Sequence, residues 1–228
     1  MPRPAASQLA FFASPAADAA RPAPALTLGI DEAGRGPILG PMVLAAVALD
    51  AGAARALTRA GLCDSKRFGA GAEARHRRAA LASMIRARAT FVGLEVVDAA
   101  EIDVRVDRGE LNVLERERAA RLIEQAPPCK RIVADGARLF GPLRAQFPGL
   151  RAYDRGESRH AAVAAASVIA KDERDRRFAL LCACWRDEFG EIGGGGYLND
   201  ATRAFLRAYL ARKGELPPET RRSWGCRL

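Results

Sequence analysis

One stretch restricts the fold more than any other: an apolar run, Leu26-Thr27-Leu28-Gly29-Ile30, is followed by Asp31-Glu32 and then by Gly34-Arg35-Gly36-Pro37 and Gly40-Pro41. The run reads as a strand entering an interior, and the glycines and prolines read as a tight turn leaving it. Two adjacent carboxylates at that boundary repel each other and resist desolvation, an arrangement that makes sense when a divalent cation neutralises them. Met42-Val43-Leu44-Ala45-Ala46-Val47-Ala48-Leu49 is continuously apolar, so periodicity does not choose between strand and helix. As a strand it would pair back on the first and place Gly34 to Pro41 in a hairpin-like loop.

Further along, Cys63-Asp64-Ser65-Lys66-Arg67 is a polar loop. A helix is expected from about Ala72 to Ala87, a strand over Thr90 to Val97, and an amphipathic helix over Leu111 to Ile123 with Glu115, Arg116, Glu117 and Arg118 outward. Arg131-Ile132-Val133-Ala134-Asp135-Gly136 repeats the opening theme, a short apolar strand ending in an acid and a glycine, and sites gather at such strand ends in α/β sheets. Arg151-Ala152-Tyr153 reads as an edge strand leading to Glu157. A long helix follows from Ala161 to about Trp185, with Ser167, Lys171 and Arg174 on one face. Its Asp172, Glu173 and Asp175 are assigned to the exposed side, with Asp175 also a candidate to support the site residues from behind. Gly193 to Gly196 reads as a hinge-like linker before Tyr197, and a last helix spans about Asp200 to Arg212.

Bulk properties narrow the function. The 228 residues are 49% hydrophobic, enough for a real core. No apolar run approaches the roughly 20 residues of a membrane span. The 36 basic residues against 27 acidic ones give a net charge of +9, and only Lys66, Lys130, Lys171 and Lys213 among them are lysines. An arginine-rich surface suits a phosphate backbone. The five cysteines are scattered and the only histidines are His76 and His160, so the chain reads as a cytoplasmic protein with reduced thiols and without a zinc site. Any metal would be a hard, oxygen-ligated cation.

Taken singly, Asp135 suits a turn and Glu157 a helix N-terminus. Together with Asp31 and Glu32 they make four acids, able to hold two divalent cations for phosphodiester hydrolysis. A dinucleotide-binding enzyme is the rival suggested by Gly34-x-Gly36, but Asp31 and Glu32 would repel the pyrophosphate, and Pro37 and Pro41 obstruct the helix that should receive it. A non-catalytic basic nucleic-acid-binding module would leave four carboxylates facing phosphate as pure repulsion.

Several motifs in order resemble ribonuclease HII, the type 2 ribonuclease H family: Gly29-Ile30-Asp31-Glu32-Ala33-Gly34-Arg35-Gly36-Pro37 with Gly40-Pro41, Asp64-Ser65-Lys66, Asp135-Gly136, Gly156-Glu157-Ser158-Arg159 leading to Ser167-Val168-Ile169-Ala170-Lys171, Gly196-Tyr197, and Arg221-Arg222-Ser223-Trp224. The resemblance runs from about Leu26 to Trp224. It implies an α/β fold, a ribonuclease H-like mixed sheet flanked by helices with a small helical C-terminal portion. The expected organisation is a disordered leader over 1–25, a catalytic domain over 26–190 and a C-terminal extension over 191–228. The implied reaction cuts 5′ to a ribonucleotide in RNA/DNA hybrids or in duplex DNA, leaving 3′-hydroxyl and 5′-phosphate ends. The resemblance assigns Asp31, Glu32, Asp135 and Glu157 to two ions, Mg²⁺ or Mn²⁺. It assigns the backbone of Gly34-Arg35-Gly36 to the ribose 2′-hydroxyl, Tyr197 to the sugar at the RNA-to-DNA junction, and Lys66 to substrate binding. A monomer is expected.

Most family members carry Asp where this chain has Glu157. The stretch between Asp135 and Glu157 also contains Asp154 as a rival ligand, and Leu198-Asn199-Asp200 replaces the usual residues after Tyr197. In the leader, Ser7 to Phe12 resembles the Gln-Leu-x-x-Phe peptide by which many replication and repair proteins bind the sliding clamp, so Gln8 to Phe12 are the expected clamp contacts.

Overall fold

A computed structural model describes residues 25–62, 69 and 71–225. The leader segment Gln8 to Phe12 and the Asp64-Ser65-Lys66 motif lie outside the described residues. Among the described residues five strands form one sheet in the order β3-β2-β1-β4-β5. They are β1 (Thr27–Ala33), β2 (Met42–Leu49), β3 (Phe91–Val97), β4 (Arg131–Asp135) and β5 (Leu150–Tyr153). The first three pair antiparallel as a meander, whereas β1–β4 and β4–β5 are parallel. The sheet is therefore mixed, as expected. The ambiguous apolar run is the strand β2, buried at all eight positions. It reads as an unbroken hydrophobic run because helices cover both of its faces.

One face carries α3 (Ala99–Asp107), α4 (Leu111–Gln125) and the short α5 (Ala137–Phe140). There Leu28, Ile30, Leu44 and Ala46 pack with Ile102, Leu114, Leu122 and Phe140. The other face carries α1 (Ala51–Arg59), α2 (Ala72–Arg88) and α6 (Ala161–Phe189), whose alanines pack on Val43, Ala45 and Val47. The period-2 alternation of β1 and β2 sorts their side chains between the two cores. Asp50 and Asp98 start α1 and α3 by accepting from Ala53 N at 2.7 Å and Glu101 N at 2.8 Å. Neither helix is evident in the apolar pattern, because each is short and buries only one or two residues.

α6 lies unusually close to the sheet. A Cβ at Gly29 would stand 2.0 Å from the Ala162 carbonyl carbon, so glycine on the strand and alanine on the helix permit backbone-to-backbone approach. The C-terminal half of α6 leaves the sheet and packs through Phe178 and Leu181 against Phe205, Leu206 and Tyr209 of α7 (Asp200–Lys213). Ile38 and Leu39 of the β1–β2 loop join this third cluster. Among the described residues no helix is long and apolar enough to cross a membrane.

Candidate active site

Parallel pairing of β1 with β4 runs to Ile30↔Ala134, so Asp31 and Asp135 come next on neighbouring central strands, at the same end of the sheet. Strands in a sheet stand about 4.8 Å apart, close enough for the two acids to feel each other's charge. Asp31 is 6% exposed and on the α6 side. Burial, reinforced by the charges of Glu32 and then Asp135, holds its carboxyl well above the usual carboxylate range, against a hydrogen bond from the Ser167 hydroxyl of α6. Its Oδ1 also accepts from Glu32 N at 2.8 Å. Strand alternation turns Glu32 to the opposite side, where its charge reaches Glu115 of α4.

Glu157 enters from a 3-10 turn, Gly156–Ser158, between β5 and α6, and is 5% exposed. The turn is tied to β4 because Gly156 N donates to Asp135 Oδ1 at 2.7 Å. Arg155, in the left-handed region at φ 60°, directs the chain into that turn. Asp154 is engaged elsewhere: its Oδ1 accepts from Ala137 N at 2.9 Å, at the start of α5. Among the described residues no three His, Cys, Asp or Glu side chains gather closely enough to hold an ion between them. The acids line one end of the central strands from both faces instead of closing a cage.

The glycine loop beside the acids is held from three directions. Gly34 has φ 85°, and a Cβ there would come within 2.7 Å of Pro41 O. Arg221 is fully buried and donates to Gly34 O at 2.6 Å, Arg35 O at 2.9 Å and Gly40 O at 2.9 Å. Burial, aided by the nearby Arg174 charge, lowers its guanidinium to about 10, so it remains a cation at neutral pH. The carbonyl of Gly196 accepts from Ile38 N at 2.8 Å and Leu39 N at 3.1 Å, and Leu39 bridges to Thr220. Gly193 to Gly196 is consequently no hinge: it contains a 3-10 turn that docks the C-terminal portion on this loop.

The loop's own side chain points away from its backbone. Arg35 donates to Asn112 Oδ1 at 2.6 Å and pairs with the fully buried Glu115. The expectation that Glu115 faces outward is overturned. Glu115, Ala119 and Leu122 fall on one buried stripe of α4, an acid in an apolar row that marks an inward partner. Burial, opposed by Arg35, raises the Glu115 carboxyl to about 7. Asp172, Glu173 and Asp175 likewise are not exposed: Asp172 is half-buried, Glu173 is buried, receiving Arg176 and Arg177, and Asp175 receives Arg78 and Lys171. Charges a turn apart satisfy each other within a half-buried face.

Tyr197 is 51% exposed, and its ring lies 3.4 Å from where a Gly36 Cβ would stand. The structure thus places Asp31, Glu32 and Asp135 at the same end of the sheet, with Glu32 turned to the opposite side from Asp31, ties the Glu157 turn to Asp135, and sets Gly34, Arg35, Gly36 and Tyr197 next in line. Ser167, Asn112, Glu115 and Arg221 are the supporting residues that sequence reasoning gave no role at the site.

A mixed sheet in this order, with helices on both faces and acids at the ends of its central strands, is the ribonuclease H-like architecture. The family model for Ribonuclease HII matches residues 28–226. A Ribonuclease HII of Pyrobaculum neutrophilum is 41% identical over 202 residues, covering 86% of this chain and 93% of that one. The crystal structure of the ribonuclease H2 from Pyrococcus horikoshii OT3 aligns with a TM-score of 0.75 at 27% identity, covering 88% of this chain and 94% of that one. The PCNA:RNase HII complex from Archaeoglobus fulgidus gives a TM-score of 0.73 at 30% identity, with coverage of 89% and 96%. The chain belongs to the ribonuclease HII family, and it is an endoribonuclease, a hydrolase.

Proposed function

We propose that this enzyme hydrolyses the phosphodiester 5′ to a ribonucleotide in RNA/DNA hybrids and in duplex DNA with embedded ribonucleotides, leaving 3′-hydroxyl and 5′-phosphate ends. The observation that carries the reading is the placement of Asp31: buried beside Glu32 and Asp135, its carboxyl is held well above the usual carboxylate range, and a cation among these acids would relieve that cost. Asp31, Glu32, Asp135 and Glu157 would hold two divalent ions, Mg²⁺ or Mn²⁺, since every donor is a hard oxygen. Bound there, the ions supply the Lewis acidity for phosphodiester hydrolysis. The same charge argument disfavours a non-catalytic module. The dinucleotide reading loses its basis because β1 leads into the antiparallel β2 and not into a helix.

The chain's own groups position the reaction. The Ser167 hydroxyl orients Asp31, and Gly156 N orients Asp135. Arg221 from below and Glu115 with Asn112 through the Arg35 side chain fix the Gly34-Arg35-Gly36 backbone, freeing it to meet a ribose 2′-hydroxyl, the group that separates RNA from DNA. The exposed Tyr197 ring offers an apolar face to the adjoining sugar. The Gln8 to Phe12 segment is proposed to bind a sliding clamp, a reading supported by the PCNA complex of the Archaeoglobus relative.

The test is incubation of a DNA duplex carrying one ribonucleotide with the protein and Mg²⁺ or Mn²⁺, followed by mapping of the cut. Incision on the 5′ side of the ribonucleotide is expected. A cut on its 3′ side, or none with either metal, overturns the reading.

A further inference from the structure

A second charged region lies on α6 beyond the acids. Following Ser167, the next two turns of the same face present Lys171, Arg174 and Asp175, which line a cleft of about 630 Å³ together with Arg78 and Tyr197. Arg75, Arg186 and Glu191 stand around it, the last two paired at 2.9 Å. The charge balance inside is uneven. Arg78 Nη2 at 3.0 Å, Arg174 Nη1 at 3.3 Å and Lys171 Nζ all converge on the one carboxylate of Asp175. Among the described residues three cations share this single anion, and Arg75 adds a further positive charge beside them.

Those cations are built into the fold. Arg78 is 4% and Arg174 2% exposed. Each has an Nε hydrogen with no acceptor among the described residues. Arg174 is further fixed by its bond to Gly195 O and by the Phe178 ring 5.0 Å away. Burial, incompletely offset by Asp175, pulls the Lys171 ammonium below its ordinary value. Burial works against the charge of Asp175 as well, yet its three basic neighbours hold it below the usual carboxylate range. Buried donors without acceptors and uncompensated positive charge both favour an oxyanion as a further partner.

We propose that this cleft is a phosphate subsite, seating a backbone phosphodiester of the bound duplex through Lys171, Arg78 and Arg174. Position selects the backbone over a small phosphorylated molecule. At ~1.5 Å of helix rise per residue, Lys171 to Asp175 lie ~6–12 Å along α6 from Ser167, which touches Asp31. With ~3.4 Å of rise per nucleotide in a strand, that distance is about two to four nucleotides from the scissile bond. Tyr197, beside Gly36, forms one wall of the cleft, so a strand whose sugar rests on that ring would lead into it. The subsite rests on the proposed nucleic-acid substrate, but its test measures binding and not cleavage.

The experiment compares the full-length protein with Lys171→Gln, a half-buried position whose replacement leaves the buried arginines in place. Fluorescence anisotropy is recorded on an all-DNA duplex and on a single-ribonucleotide duplex over a series of salt concentrations. Loss of one phosphate contact is expected to weaken binding several-fold and to reduce the slope of log K against log salt by about 0.9. A scan of single methylphosphonates is expected to find one position, two to four nucleotides from the ribonucleotide, whose neutralisation weakens the wild type but not Lys171→Gln. Arg78→Lys, which keeps the charge, is expected to retain the wild-type slope. An unchanged slope in Lys171→Gln, or a scan that penalises both proteins equally, overturns the subsite. So does inorganic phosphate stabilising the wild type against heat while the scan stays flat, because the cleft would then take a small anion. A protein that binds as described but never incises refutes the proposed reaction and leaves the subsite standing.

Discussion

Asp135 and Glu157 are joined through Gly156 N, so their replacements separate charge from shape. Asp135→Asn is expected to lower incision on the order of a thousandfold while duplex binding persists, measured by single-turnover cleavage and by anisotropy. Glu157→Asp is expected to stay active and Glu157→Gln to lose most activity. Asp154→Asn keeps an Oδ1 that can accept from Ala137 N at the start of α5, so stability and incision should both be retained. A cleavage defect in Asp154→Asn instead would transfer the fourth acid to that position. Glu115 gives a pH signature. Its carboxyl rises from an ordinary 4.5 to about 7 in the folded state, so the folded protein binds its proton more tightly than the unfolded chain. The associated stability is complete below about pH 4.5 and disappears as pH climbs through 7, on the order of 3 kcal/mol. Urea unfolding from pH 4.5 to 8 should therefore slope less steeply for Glu115→Gln than for the wild type. Identical slopes would assign the loss to other groups.

The interface of β1 with α6 decides whether Asp31 meets Ser167. Gly29 lies two residues before Asp31, and Ser167, which bonds Asp31, is on the helix that Gly29 admits. Gly29→Ala should destabilise the protein by about 3 kcal/mol or more, because the clash is with backbone that has no rotamer to move. Denaturant midpoints test this, and a shift below about 1 kcal/mol would mean that the helix can retreat. At this scale the sequence was legible where hydrophobic period was strong. β1, β3, β4 and the long helices follow from pattern, whereas α1 and α3 are short and signalled mainly by their Asp caps. The direction of Glu115 was not read, because the charged run from Glu115 to Arg118 masks the apolar stripe that continues through Ala119 and Leu122.

Across the whole molecule, the C-terminal segment is part of the face that carries the glycine loop. Arg221, some 180 residues from the loop it holds, bonds Gly34, Arg35 and Gly40, and Asp103 of α3 anchors the same segment by accepting from Arg222 N and Ser223 N. The leader poses the complementary question, since its aromatic motif precedes the sheet. Deleting Met1 to Ala13 is expected to lower affinity for a sliding clamp at least about tenfold while incision of a short duplex is unaffected. Unchanged clamp binding in a surface-immobilised titration would dismiss the motif.

The family and the mixed α/β class were present in residue order, because strand-ending acids and glycine turns are local patterns written in consecutive residues. Tertiary structure decided the rest. It turned Asp31 and Glu32 toward opposite helical layers, paired Arg35 inward with Glu115, and closed the glycine loop with Arg221. It also left three cations around Asp175. These are contacts between residues tens to hundreds of positions apart, and charge at such range acquires meaning only when burial lowers the local dielectric and chooses its partners.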